Sequence, residues 1–390
     1  MNPPGGPVTS DSHGRVFGLD LLRAAAILMV VYAHAFVVLY PHFGEPLGYF
    51  GHGGFYGVEL FFVLSGFLIG QILIRTGADF ARAGNVAFFY VRRWFRTLPL
   101  FFLFLFVNVI FERSFRAHAV GFNEALSHGL FLRNLTGLHL TFFPESWSLA
   151  IEEWFYLLFP AALWFGLKLT RRFGAVFLVA AFTFLAFSTI ARLITGLDPS
   201  ASWPTQIRMS VIYRFDALMI GMLGAWLALR FPKAWVRSPI LVAFSGLILL
   251  VVTYTTLWKI QNGHLQFGDD SYFARTFRFT LISLGYALLL PWASGWKLAR
   301  ENFASKAVRK IALWSYSLYL VHLPFFVLVG QAGLGADQPM PVGKALFSFA
   351  LQICGAILLS ALLYRFFEAP CTRLREKAAP AVARIFGSPS

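Results

Sequence analysis

The run FGLDLLRAAAILMVVYAHAFVVLY, Phe17 to Tyr40, is long and apolar enough to cross a bilayer, yet it carries Asp20, Arg23 and His34. A charge at the bilayer centre costs about 2.5–3.5 kcal/mol even on lenient insertion scales, so an ionisable group in a span lines a protein interior or a water-filled path. Arg23 and His34 lie eleven positions apart. At roughly 100° per residue they point within about 20° of one helical direction, separated by about 16 Å along the axis. One polar stripe therefore links two depths of the membrane.

The rest of the chain extends this reading. Of 390 residues, 58% are hydrophobic and 13% charged, with 45 Phe, the composition of a polytopic membrane protein rather than a soluble enzyme. The net charge of +15 comes from short basic clusters between apolar spans. That pattern orients membrane proteins and does not form a basic face for nucleic acid. The two cysteines, Cys354 and Cys371, build neither a disulfide framework nor a thiolate metal site. No GxxxxGK[ST], HExxH or GxSxG motif occurs, so ATP hydrolysis, zinc hydrolysis and an elbow serine have no support.

Stretches of about twenty apolar residues predict ten spans: Phe17–Tyr40, Phe55–Ile74, Leu98–Phe111, Ser146–Leu167, Phe173–Thr195, Ser210–Leu229, Pro239–Trp258, Phe277–Trp292, Ile311–Val329 and Ala345–Phe367. The expected fold is all-α, a polytopic membrane bundle of about ten transmembrane helices. A disordered N-terminal tail is expected over residues 1–16, the transmembrane domain over 17–368 and a basic cytoplasmic tail over 369–390. The first span is expected to remain as an uncleaved anchor. Lys and Arg number 22 on the side shared by the two termini and nine on the other, which makes both termini cytoplasmic. The longest outside segment, Glu112 to Glu145, carries His118, His128 and His139. Their spacing fits no helical ligand pair, so solvated loop histidines and no metal are expected.

Within this topology His34, Glu59, Glu152, Glu153, Arg214 and Asp216 fall at one depth, which argues for convergence on a common cavity. Structural ion pairs between helices, Arg214 with a carboxylate among them, are the alternative. Ser148, Glu152 and Tyr156 recur every four positions as one polar stripe, making Glu152 the inward carboxylate and Glu153 a structural partner. Ser315, Tyr319 and His322 form a similar stripe, with His322 read as a buried histidine bonded to its neighbours. Arg92, Arg93 and Arg96 precede the third span in YVRRWFRTLP and can serve as an orientation signal alone. Arg93 and Arg96, three apart, also place two guanidinium forks on one face, a geometry suited to phosphates. Arg23 can join them.

These residues carry a resemblance to the acyltransferase 3 family of integral membrane acyltransferases. It rests on the R-x10-H spacing of Arg23 and His34, GVELFFVLSGFLI from Gly57 to Ile69, RRWFRTLP from Arg92 to Pro99 and SWSLAIEEWFYLLFP from Ser146 to Pro160. RFDALMIG from Arg214 to Gly221, SYSLYLVHLP from Ser315 to Pro324 and FFEAP from Phe366 to Pro370 follow in order. The resemblance implies an O-acyltransferase of the cell inner (cytoplasmic) membrane, multi-pass and lipid-embedded. It implies acetyl-CoA as co-substrate, no permanently bound cofactor, and a carbohydrate acceptor, usually a sugar hydroxyl of an envelope or secreted glycan. His34 occupies the place of the family's catalytic histidine, Glu152 that of the acidic residue in its WSLxxE run, and Arg93 with Arg96 that of its RxxR element. Glu59, Ser148, Arg214, Asp216 and His322 complete a supporting polar cluster. Some relatives carry a fused SGNH hydrolase-like domain; none is expected here, which implies complete transfer within the bundle or a separate periplasmic acyl-transfer partner.

The expected mechanism has Arg23, Arg93 and Arg96 holding the phosphates of acyl-CoA while the pantetheine arm follows the Arg23–His34 stripe. His34 then acts as base or acyl carrier, either being open to an imidazole near neutral pH. Glu152 orients His34 or activates the acceptor hydroxyl. The rival reading, a transporter of a small anionic or glycan substrate using midplane charges, lacks an internal repeat and paired broken helices. A lipid-anchored scaffold leaves the buried charges unexplained. In a background without Cys354 and Cys371, cysteines placed at Ala83 and Gly121 should differ in labelling by an impermeant thiol reagent. Equal labelling of both from outside would overturn the orientation.

Overall fold

Apolar runs bounded by Gly, Pro and basic residues fold as helices because no water is available in a bilayer to satisfy exposed backbone groups. The computed structural model describes residues 15–44, 53–115, 120–135, 142–198, 201, 203–261, 272–298, 300–336 and 340–386. Among the described residues there is no β-strand. Each expected span coincides with a helix: α1 (Phe17–Ala35), α2 (Gly53–Thr76), α3 (Ala83–Phe115), α4 (Ser146–Leu169), α5 (Phe173–Thr195), α6 (Phe215–Arg230), α7 (Pro239–Gln261), α8 (Arg278–Gly295), α9 (Phe303–Val329) and α10 (Val342–Leu363). Six helical segments among the described residues are long and apolar enough to cross a membrane, built on α1, α2, α3, α5, α9 and α10. The chain is a multi-pass, all-helical membrane protein.

Two boundaries depart from expectation. The third helix begins at Ala83, not near Leu98, so Arg92, Arg93 and Arg96 lie within it. Arginine and tryptophan extend a helix into the interfacial zone where apolarity alone signals a stop. The segment expected as a basic tail is instead α11 (Ala369–Ile385), joined to α10 by a π-turn at Tyr364–Glu368. It packs against α3, burying Ala379 and Ala383, and Glu376 bridges Arg92 at 3.2 Å. The N-terminal tail over residues 1–14 lies outside the described residues.

Among the six candidate membrane spans the most buried is α2, which packs against α1 and α6. The α2–α6 contact is backbone on backbone: a Cβ at Gly66 would fall 2.0 Å from the Leu218 carbonyl oxygen, and one at Gly221 would fall 2.2 Å from that of Val63. Helix α8 joins α1, α6 and α7, while α9 packs between α1 and α10. Apolar side chains left exposed on α5 and α7, such as Phe182, Phe187, Phe244 and Val251, face the surroundings as a lipid-embedded protein requires.

The core of this packing is polar. Arg192 on α5 pairs with Asp216 on α6 at 2.9 Å, and Arg214 pairs with Glu59 on α2; all four side chains are fully buried. Thr280 of α8 donates to Asp216 at 2.9 Å and accepts from Arg192 at 2.8 Å. Arg192 also donates to the Thr276 and Tyr213 carbonyls at 3.0 and 2.5 Å. The Arg214 guanidinium lies 4.1 Å from the Phe279 ring centroid. Two cations thus meet two anions across four helices, and the alternative of structural ion pairs holds for Glu59, Arg214 and Asp216. Three of the nine outside-counted basic residues, Arg192, Arg275 and Arg278, are buried, so the solvated charge asymmetry exceeds the raw count.

Removing one member of a buried pair strands its partner in low dielectric and costs about 3–5 kcal/mol, while replacing both with apolar residues is far less damaging. Glu59→Leu and Arg214→Leu should each sharply lower thermal stability in detergent, and the double variant should lose clearly less than the sum. Strict additivity would show that the pair is not coupled.

Candidate functional site

Four arginines converge from three helices. Arg23 of α1, Arg75 of α2 and Arg93 with Arg96 of α3 line a cavity of about 360 Å³. Its other walls include Ser65 of α2, Ser148, Glu152 and Tyr156 of α4, and Ser315, Tyr316 and Tyr319 of α9. Spacings of three and four residues put each set on one helical face. Among the described residues no carboxylate bridges any of these four arginines, whereas neighbouring Arg92 and Arg375 are both engaged by Glu376. Glu152, the sole carboxylate on the wall, accepts from Ser65 Oγ at 2.6 Å, and Tyr156 donates to the same Oγ at 3.3 Å. Arg93 sits over the Phe89 and Tyr156 rings at 5.9 and 5.8 Å. Four guanidinium groups against one carboxylate make a receptor for a polyanion.

A second cavity, of about 540 Å³, is lined by His34, Val37 and Val38 beside α1, by Leu323, Phe326 and Val327 of α9, by Gln352 of α10, and by the turn from Gly330 to Ala336 with Gln331. Among the described residues no charged side chain lines it. Gly333 holds φ at 77°, left-handed backbone that a residue without Cβ adopts freely. Two amides, an imidazole and glycine backbone suit neutral hydroxyl-bearing groups.

The stripe Ser315, Tyr319 and His322 on α9 runs from the arginine cavity to His34. Ser315 and Tyr319 line the arginine cavity. The Tyr319 hydroxyl bonds Ser148 Oγ at 2.6 Å and reaches the Glu145 carbonyl at 3.1 Å. His322, fully buried, has Nδ1 2.6 Å from the Tyr319 carbonyl and Nε2 3.2 Å from His34 Nδ1. These contacts assign the tautomers. A carbonyl only accepts, so His322 Nδ1 carries the proton and its Nε2 is an acceptor. His34 must then donate from Nδ1, sharing that N–H with the Val30 carbonyl at 2.9 Å. Its Nε2 keeps a free lone pair, and no described residue engages it. A neutral imidazole, oriented from behind and open to a cavity, is a base or a nucleophile.

The comparisons with known proteins meet this geometry. A family model described as "Acyltransferase domain" (Acyl_transf_3) matches residues 16–365. The chain belongs to the acyltransferase 3 family. It is 26% identical over 388 residues to the O-acetyltransferase OatA of Staphylococcus aureus, covering 93% of this chain and 58% of that protein. It is 27% identical over 385 residues to the peptidoglycan O-acetyltransferase OatA of Listeria monocytogenes, covering 93% and 56%. The chain therefore spans little more than half the length of these relatives. No solved structure matches it.

The structure sorts the expected site residues into three places. Arg23, Arg93, Arg96, Glu152 and Ser148 share the arginine cavity; His34 and His322 meet at the second cavity; Glu59, Arg214 and Asp216 line neither. A single common cavity is thus not formed, because residues at one depth sit on different helix faces. The Arg23–His34 stripe is not an open path either, since Ile27 and Val30 between them are buried in helix packing. Glu152 is bound to Ser65 and not to His34. Among the loop histidines, His118 and His139 lie outside the described residues. His128 is not solvated: it is 2% exposed, its Nδ1 lies 3.0 Å from the Glu124 carbonyl and its ring packs on Phe142. Burial lowers its pKa from the ordinary imidazole value.

Arg75 and Ser65 were not expected in the site. Arg75 is indistinguishable in sequence from an orientation charge, while Ser65 sits six residues after Glu59, about 120° away from it on the helix, which could have signalled a second polar face. Nitrogen-15 NMR of histidine-labelled protein near neutral pH should show His34 and His322 both protonated at Nδ1. An Nε2-protonated His34 would overturn the assignment, and His322→Leu should broaden His34 into a mixture of tautomers.

Proposed function

We propose that this protein is a membrane O-acetyltransferase that moves an acetyl group from cytoplasmic acetyl-CoA to a hydroxyl of an envelope carbohydrate. The observation that carries the reading is a cationic cavity whose wall at Ser148 and Tyr319 leads along α9 to His322 and so to His34, which lines a second cavity and keeps a free Nε2. The names of the relatives support acetyl transfer to peptidoglycan or a similar glycan. Basic-residue counting supports cytoplasmic termini, which turn the arginine cavity toward the cytoplasm of the inner membrane.

In this reading Arg23, Arg75, Arg93 and Arg96 bind the CoA phosphates. Glu152, tied to Ser65, sets the local charge that keeps the forks apart. The thioester reaches the Ser148–Tyr319 end of the cavity and the acceptor enters beside His34, Gln331 and Gln352. His34 Nε2 takes the hydroxyl proton as the acceptor oxygen attacks the thioester carbonyl. The carbon–sulfur bond then breaks, and the proton passes from Nε2 to the departing sulfur. The Nδ1–H, held by Val30 and His322, steadies the imidazolium between the two steps, the role an orienting group plays behind a catalytic histidine. His322 is accordingly a positioning residue. An acetyl-His34 trapped by acid quench of a reaction with labelled acetyl-CoA would replace direct transfer with a covalent step.

Purified protein in proteoliposomes should release CoA in proportion to acetylated glycan, which a transporter would not do. His34→Ala should lower kcat by about 10²–10⁴, and His34→Gln, which cannot titrate near neutrality, should not rescue it. Near-wild-type turnover by the Gln variant would remove His34 from the chemistry. His322→Gln, which keeps an acceptor, should retain most activity, whereas His322→Leu should lose roughly tenfold to a hundredfold. Arg93→Ala and Arg96→Ala should raise the KM for acetyl-CoA with kcat little changed, since they remove binding common to ground and transition states.

A further inference from the structure

The turn that ends α9 closes on α10 through a short chain of hydrogen bonds. Its last residue, Leu334, presents a backbone carbonyl that accepts from Ser348 Oγ at 2.6 Å, and Ser348 Oγ in turn accepts from Gln352 Nε2 at 3.2 Å. Ser348 and Gln352 stand four apart, on one face of α10, and are 0% and 3% exposed. The order of these bonds fixes the amide. A carbonyl only accepts, so the one proton of the Ser348 hydroxyl is committed to Leu334, and only a donor can meet the hydroxyl oxygen from the other side. Turning the amide over would set two oxygens against each other with no proton between them.

Gln352 Oε1 therefore faces away from Ser348. No described residue donates to it, yet it is not sealed within the packing, and Gln352 lines the same cavity as His34. An oxygen that only accepts selects a ligand group that donates, N–H or O–H, and the wall around it narrows the choice. Val38, Leu323, Phe326 and Val327 bring apolar surface to this cavity. A hydroxyl offers the donor but covers none of that surface, and an ammonium brings a charge that no side chain of the wall neutralises. An acetamido group meets both demands: its N–H donates to an amide oxygen while its methyl lies on apolar side chains. A few placed polar atoms in a mostly apolar wall are how a cavity of this kind orients a ligand.

We infer that Gln352 is a specificity-determining residue for the acceptor, its Oε1 accepting from the acetamido N–H of an N-acetylated sugar. The inference rests on the acetyltransferase reading and narrows its acceptor from carbohydrate in general to amino sugars that are already N-acetylated. The acetamide held at Gln352 sets which hydroxyl of the acceptor meets His34 Nε2, since both side chains line one cavity. Ser348 is the positioning residue behind Gln352: it touches no ligand and keeps the amide oxygen turned toward the cavity.

The test measures CoA release and O-acetylated sugar with full-length protein in detergent, where both faces are open. The acceptor is either chitotetraose, whose sugars are N-acetylated, or cellotetraose, which carries a hydroxyl at the same position. Wild type should prefer chitotetraose in kcat/KM by at least about tenfold. Gln352→Met, similar in length but without an accepting oxygen, should lower kcat/KM for chitotetraose by about tenfold to a hundredfold and for cellotetraose by far less, so that the preference collapses. Ser348→Ala, which frees the amide to turn over, should give an intermediate preference, and it carries the test if Gln352→Met does not fold. A loss shared equally by the two sugars, or confined to the thermal midpoint, would make Gln352 a packing residue and overturn the inference. A wild type that acetylates cellotetraose as well as chitotetraose would overturn the inference and leave the acetyltransferase reading standing. Release of CoA with neither sugar would overturn both.

Discussion

The paired charges of Arg192 with Asp216 and of Arg214 with Glu59 set the frame within which everything else is arranged. In an apolar bundle each of these groups alone would be driven to neutralise or to escape to water. Held together they bring α2, α5, α6 and α8 to one point, and the close α2–α6 backbone contact at Gly66 and Gly221 leaves no freedom to slide. That fixed rotation of α2 sends Glu59 into the network and Ser65, about 120° round the helix, into the arginine cavity. A structural face and a functional face are thereby produced by one helix.

The same constraint separates two kinds of arginine. Arg192 and Arg214 have carboxylates and are sealed from solvent. Arg23, Arg75, Arg93 and Arg96 lack them among the described residues and open onto a cavity. Residue type does not distinguish these groups, and neither does depth in the membrane. Rotation about the helix axis does, and a single apolar span reports rotation poorly because lipid and protein neighbours can both be apolar. This is why an all-helical membrane bundle was legible from hydropathy, and why candidates such as His34, Glu152, Arg93 and His322 could be picked from spacing and family motifs, while the division of the polar residues into a network and two cavities could not. The start of α3 was hidden for a related reason: Arg92, Arg93 and Arg96 stand before the apolar run that marks the span, although all three lie within the helix.

Helix α1 illustrates the point most directly. Its Arg23 and His34 do share a direction, but the residues between them on that side, Ile27 and Val30, are packed against neighbours, so the stripe is sealed. The polar stripe runs instead along α9, where Ser315 and Tyr319 face the arginine cavity and His322, three residues beyond Tyr319, bonds His34. The backbone carbonyl of Tyr319 fixes the His322 tautomer, and His322 in turn fixes that of His34. One side chain and one carbonyl of a single residue thus serve both cavities: the hydroxyl closes the wall against Ser148, and the carbonyl anchors the imidazole pair.

Such an arrangement answers a difficulty inherent in acyl transfer across a membrane. A donor with several phosphates needs cations, yet cations placed beside a catalytic imidazole oppose the positive charge it acquires when it takes a proton. In the reaction proposed above, seating the phosphates in the arginine cavity separates them from His34 by the length of α9 between Ser315 and His322, about 10 Å at the helical rise per residue, and keeps the two demands apart. The histidine cavity, lined by no charged residue among the described residues, leaves His34 to be held by His322 and Val30 behind it. In that reading the bundle separates donor binding from proton transfer by distance along one helix, with neutral contacts at the histidines and unpaired cations only where an anion is to be received.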